Sequence, residues 1–258
     1  MMVDYHVHVL SHGEYDYSRE WLSSFVDQAC RQGVHEIGFS EHNEFFPGVD
    51  LNIYQAVKFQ RQRDIELRLG IEADYIPGSE KELKSLVTRP ELDYTIGSIH
   101  YIDGWPFDHP DHKHEFGKRD IDEIYTRYAE ILISMVKTGL FDIVGHLDLV
   151  KIWGHRPRQQ DPAYYLEPVL NAIQQSDMAV EINSAGLRKP VAEIYPAVDL
   201  VKLMFEKNIP IIFGSDAHHP EQVGEGLQEA CLLALNAGYR SLVSYQRHIK
   251  TVSPIRFK

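Results

Sequence analysis

Seven times along this chain an apolar, strand-like run gives way to a polar loop and then to a helix-like segment. The runs cover residues 3–7, 36–40, 65–71, 93–99, 141–145, 178–182 and 209–214. The spacing predicts a helix from Ser18, a natural N-cap, to about residue 31, ended by Gly33. Further helices are expected at 53–62, from Ser79, at 121–137 ended by Gly139, and at 162–175, 198–207 and 226–237. Alternation of this kind demands parallel strands joined by right-handed crossovers. In a parallel barrel every strand opens its C-terminal end on one face, and active sites lie there. A length of 258 residues suits one α/β barrel, and no repeat, low-complexity tract or Gly/Ser linker divides it. Residues 1–258 are therefore expected to form a single domain.

The strand ends carry the chemistry. His6 and His8 stand two residues apart, so a strand presents both imidazoles on one face. Asp216 and His218 repeat that spacing. Between them, His42, Glu72, His100, His146 and Asn183 each follow an apolar run. A parallel barrel brings all of these to one mouth. Neutral imidazoles and carboxylates bind divalent metals. This set is too large for one tetrahedral ion, and a carboxylate can bridge two, so two or three divalent ions are expected (Zn, Fe or Mn). Such a site generates hydroxide at neutral pH and clamps the oxygens of a phosphoryl group. The plain alternative, ordinary buried histidines, does not explain why so many end strands.

Charge and composition narrow the partners. A net charge of −12 argues against broad nucleic-acid binding. No apolar run is long enough to cross a bilayer, and no signal peptide is evident at the N-terminus. Cys30 and Cys231 read as buried thiols in a reducing compartment, so a cytoplasmic protein is expected. The stretch after the fourth run, residues 101–119, is long and rich in polar groups, as functional loops are.

The segments His6-Val7-His8, Gly70-Ile71-Glu72-Ala73-Asp74, Gly97-Ser98-Ile99-His100-Tyr101, Trp105-Pro106 through His112, Gly145-His146-Leu147-Asp148, Asn183 through Arg188, and Gly214-Ser215-Asp216-Ala217-His218 resemble the polymerase and histidinol phosphatase (PHP) family of metal-dependent phosphoesterases. The Trp-Pro-x-Asp-His-Pro stretch and the Gly-Leu-Arg loop point to its histidinol-phosphatase branch. The resemblance implies a distorted (β/α)7 barrel, TIM-like, with a trinuclear site at the C-terminal ends of the strands. One ion would be held by His6, His8, Glu72 and Asp216. A second would share Glu72 and take His100 and His146. The third would take His42, His218 and a residue of the first loop: His12 is favoured, with Glu14 and Asp16 open. The family usually has Asp-His where this chain has Glu41-His42.

The implied reaction is hydrolysis of a small phosphate ester, L-histidinol phosphate, with Glu72, His100 and Asp216 at the reacting centre. Guanidinium groups match phosphate oxygens, which assigns Arg156 and Arg188 to the substrate phosphate. Asp108, Glu115 and Trp105 are the candidates for the ammonium and imidazole of the leaving group. The rivals are a PHP phosphoesterase for another ester, a metal-binding domain without turnover, and an amidohydrolase-type enzyme; the last more often uses a strand-end lysine, which is not apparent. The oligomeric state is not legible.

Overall fold

The structure is a computed structural model describing residues 1–256; residues 257 and 258 of the expected domain lie outside the described residues. It begins with β1 (Val3–Asp4), α1 (Arg19–Arg31), β2 (Glu36–Phe39), α2 (Leu51–Arg61), β3 (Glu66–Asp74), α3 (Glu80–Val87) and β4 (Tyr94–Ser98). A hairpin of β5 (Tyr101–Ile102) and β6 (Trp105–Pro106) leads through 3₁₀ turns over Pro110–Lys118 into α4 (Ile121–Lys137). The alternation resumes with β7 (Ile143–Val144), α5 (Pro162–Gln174), β8 (Ala179–Asn183), α6 (Val198–Glu206), β9 (Ile211–Gly214) and α7 (Leu227–Ala237). A second hairpin, β10 (Ser241–Gln246) and β11 (Ile249–Pro254), follows.

Local chemistry sets these boundaries. Ser18 accepts a hydrogen bond from Trp21 N (3.1 Å) and starts α1. Asp50 caps α2 through Asn52 N and Ile53 N, and Asp120 caps α4 through Asp122 N. In α4 the buried Ile121, Ile124, Tyr125, Tyr128, Ile131, Leu132 and Met135 form one stripe at helical spacing.

β1, β2, β3, β4, β7, β8 and β9 lie side by side in that order, all neighbours parallel. The sheet then meets itself. Tyr5 N donates to Phe213 O (2.9 Å), Ala217 N to His6 O (3.2 Å) and His8 N to Ala217 O (2.8 Å). The result is a nearly closed, distorted (β/α)7 barrel, as the family resemblance implies. Tyr94 fills its interior: Tyr94 Oη donates to Tyr5 O at 2.7 Å. Gly38 and Gly70 make room for that ring, since a Cβ on either would lie 2.2 and 2.3 Å from it.

Two stretches are more ordered than the sequence reading expects. In the 101–119 loop, Asp103 and Gly104 both take positive φ (51° and 81°), the conformation of a two-residue hairpin turn. Arg247 and His248 do the same between β10 and β11, at φ 50° and 62°. Among the described residues, no helix is long and apolar enough to cross a membrane.

Candidate metal centre

At the C-terminal ends of the strands a cavity of about 540 Å³ is lined by His12, His42, Glu72, His100, His146, Asp216 and His218. His6 and His8 lie fully buried against it. Glu72 stands at the centre and divides the imidazoles between its two oxygens. Its Oε2 faces His6 Nε2 (3.2 Å), His8 Nε2 (3.4 Å) and His42 Nδ1 (3.0 Å). Its Oε1 faces His146 Nε2 (2.9 Å) and His100 Nε2 (3.7 Å). Asp216 Oδ1 lies 3.4 Å from His8, 3.5 Å from His218 and 3.9 Å from His6.

These atoms fall into groups close enough to share an ion: His6, His8 and Glu72; Glu72, His100 and His146; His6, His146 and Asp216; His8, His42 and His218; and His42, Asp74 and His100. The donor chemistry fits a divalent cation. His6 Nε2, both ring nitrogens of His8, His146 Nδ1 and His218 Nε2 are buried without a hydrogen-bond partner among the described residues. Such groups cost free energy unless something else meets them. Neutral imidazole and carboxylate are what zinc, iron or manganese accept.

The charges agree. Burial works to raise the Glu72 carboxyl, but the fields of His6 and His42 hold it well below its usual range. Asp216 is likewise held low against burial, by the fields of His6, His218 and His8. His8 is pushed well below its ordinary value by burial and by His218 and His42, and burial brings His218 down to about 4. For His6 and His100 burial is outweighed: Glu181 and Glu72 raise the first, and Asp74 the second.

Carboxylates behind the candidate ligands set their orientation. Glu181 Oε1 meets His6 Nδ1 at 2.7 Å, and Asp74 Oδ1 meets His100 Nδ1 at 2.5 Å. Each contact turns the other ring nitrogen toward Glu72. Glu181 also accepts from His146 N (2.9 Å) and Asn183 Nδ2 (3.0 Å). Asp4 accepts from Ser215 N, Ser215 Oγ and Gly224 N, fixing the turn that carries Asp216. Glu41 accepts from Val9 N and Leu10 N, tying the chain after His8 to β2. Gly214 is required by this crowding: a Cβ there would lie 1.9 Å from Glu181 Oε1. The sequence reading misses Glu181 and Asp4 as support groups. Their signal was present, since each interrupts an apolar strand, where a charged residue is buried only when paired.

Backbone strain collects at the same place. His12 and Asp216 take positive φ (58° and 54°), which is uncommon for residues other than glycine. The His12 ring lies 5.1 Å from that of His42 and 4.5 Å from that of His218. Glu14 shares the cavity wall with it, whereas Asp16 does not.

The substrate-side candidates separate. Asp108 lines the cavity. Arg156 does not; its guanidinium meets Glu193 at 2.7 Å. Arg188 braces the Asp216 turn, donating to Ser215 O (2.7 Å) and Asp216 O (3.2 Å). Glu115 is engaged by Lys118 and His114 away from the wall. Trp105 is buried inside its own loop, against Phe107, Phe116 and the Arg119 guanidinium. Asp148 pairs with buried Lys151 (2.9 Å) and accepts from Ala197 N. Lys189, which the sequence reading passes over beside Arg188, is the only lysine or arginine among the described residues lining the cavity.

A parallel barrel whose strand ends gather imidazoles around a buried central carboxylate defines a metal-dependent hydrolase class. The chain belongs to the PHP domain family, which matches residues 4–185, and a PHP-associated family matches residues 202–229. It is 39% identical over 196 residues to a protein named probable histidinol-phosphatase from Deinococcus radiodurans, covering 76% of this chain and 74% of that one. It is 27% identical to histidinol-phosphatase from Bacillus subtilis, over 88% of this chain and 98% of the relative. In three dimensions it resembles histidinol phosphate phosphatase from Lactococcus lactis, solved with zinc, L-histidinol and phosphate. That likeness has a TM-score of 0.78 at 20% identity, covers 97% and 98% of the two chains, and bears on the fold.

Proposed function

We propose that this protein is a cytoplasmic, metal-dependent histidinol-phosphatase, hydrolysing L-histidinol phosphate to L-histidinol and phosphate, with residues 1–258 acting as one catalytic domain. The observation that carries the site assignment is the division of imidazoles between the two oxygens of Glu72. In this reading His6, His8, Glu72 and Asp216 hold one ion, Glu72, His100 and His146 a second, and His42, His218 and His12 a third. Divalent ions so held would supply an activated water and would neutralise charge on a phosphoryl group. The chain's own groups do the rest. Glu181 and Asp74 fix two imidazoles, Arg188 fixes the Asp216 turn, and Lys189 offers a cation to phosphate oxygens. Asp108 reads the ammonium of the leaving alcohol. An acidic cavity wall of Glu14, Glu44, Asp74 and Asp108 favours an ester whose leaving group is cationic.

The test is phosphate release from L-histidinol phosphate and a panel of other phosphomonoesters, by metal-replete and chelator-stripped protein. Metal-dependent preference for histidinol phosphate is expected. Preference for another ester would replace the substrate, and no turnover of any ester would refute the reading. Glu72→Gln is expected to lose metal and to lower kcat at least a thousand-fold, on the order expected when central electrostatic stabilisation is removed. Full activity in that variant would overturn the bridging role.

A further inference from the structure

One polar group in the cavity has no part in these assignments. Tyr195 lines the wall at 1% exposure, its ring edge-on to that of His146 with centroids 6.5 Å apart. Its Oη is buried and has no hydrogen-bond partner among the described residues. A buried hydroxyl left unmet is costly, and native structures keep few. The residue is also held in place. Asn183 N donates to Tyr195 O (2.6 Å), and Tyr195 N returns a bond to Asn183 O (3.0 Å). Lys151 Nζ donates to Ile194 O (2.8 Å) and stands 5.3 Å from the Tyr195 ring centroid.

The surroundings say what the hydroxyl can meet. Burial, then the fields of Asp148, Asp216 and Asp108, push the phenol above its ordinary range. Asp216 and Asp108 line the same cavity as Tyr195. A phenol held protonated gives a hydrogen bond without giving up its proton. It suits an anionic oxygen that keeps its charge.

We propose that Tyr195 Oη donates a hydrogen bond to a non-bridging oxygen of the substrate's phosphoryl group. This rests on the phosphatase reading above, and it applies to any phosphomonoester the site accepts. It makes Tyr195 a substrate-contacting residue whose hydroxyl is unmet until phosphate arrives.

Tyr195→Phe removes that one atom. The measurements are melting temperature and bound zinc, calorimetric binding of inorganic phosphate to zinc-loaded protein, and turnover. Melting temperature and zinc content are expected to be unchanged or higher. Phosphate affinity should fall about tenfold and kcat/KM about 10–100-fold, somewhat less than loss of a dedicated oxyanion donor. Unchanged phosphate affinity and turnover would overturn the proposal. So would a lower melting temperature with unchanged phosphate affinity, which would give the hydroxyl to Asp148, whose Oδ1 is also buried and unpaired. A fall in bound zinc would reassign Tyr195 to supporting His146. If wild-type protein binds phosphate but spares histidinol phosphate, the substrate reading falls and Tyr195 keeps its role. If wild type turns over histidinol phosphate and Tyr195→Phe matches it, only Tyr195 falls.

Discussion

Glu181 shows how much of this site lies one layer behind the ligands. It is buried, and its two oxygens serve His6 Nδ1, the His146 backbone N–H and Asn183 Nδ2, so one carboxylate ties together three strand ends. Glu181→Gln keeps the shape but removes the charge that orients His6. Zinc affinity is expected to fall roughly 10–100-fold, the usual consequence of losing a partner behind a metal ligand. Competition against a chromophoric chelator measures it, and an affinity within twofold of wild type would show that His6 needs no such partner. The imidazoles and carboxylates that gather at the strand ends were legible because metal chemistry uses few residue types and the barrel sends every strand end to one mouth. The second layer was less so. A carboxylate in an apolar strand announces that it is paired, but not with what. Arg156 illustrates the same limit: its loop is at the right end of the barrel, yet Glu193, 37 positions away, takes its guanidinium.

At the scale of elements, β2, β3 and β4 are fitted around one side chain. Tyr94 reaches across the interior to Tyr5 O, and Gly38 and Gly70 leave the space it needs. Gly70→Ala would set a methyl 2.3 Å from the ring. A fully buried ring cannot swing aside, so a loss of about 1–3 kcal/mol or more is expected, as for other overpacked cores. Denaturant unfolding reads this directly, and an unchanged midpoint would mean that the interior can repack. The strands and helices were legible from apolar runs and from caps such as Ser18, because those signals are local. The hairpin at Asp103-Gly104 carried a local signal too, the Asp-Gly pair between Ile102 and Trp105, but the polar residues around it read as irregular loop. The turn at Arg247-His248 offered less, since it has none of the Gly, Asn or Asp that two-residue hairpin turns prefer. It is set by tertiary contact: His248 N donates to Asp93 O, and Arg247 N donates to Asp93 Oδ1.

For the whole molecule, the proposed metal site and the barrel seam are the same place. The first and last strands of the sheet meet through His6 O, His8 N and both backbone groups of Ala217. His6 and His8 lie on one side of that seam, Asp216 and His218 on the other. Ions held by both sides would clamp the barrel shut, so metal removal should act as a structural change as well as a chemical one. Each site saturated at about a hundred times its dissociation constant contributes about 2.7 kcal/mol. For a chain of this size that corresponds to a drop in melting temperature of roughly 5–10 °C per ion on chelation. The location is the sharper prediction. Hydrogen exchange in chelator-stripped protein should rise first at the amides of His8 and Ala217. The amides in the middle of the β2–β3 ladder should keep their protection, because no ligand pair spans that stretch. Uniform loss of protection across the sheet would mean instead that the ions stabilise the barrel as a whole, and that its closure rests on the backbone hydrogen bonds alone.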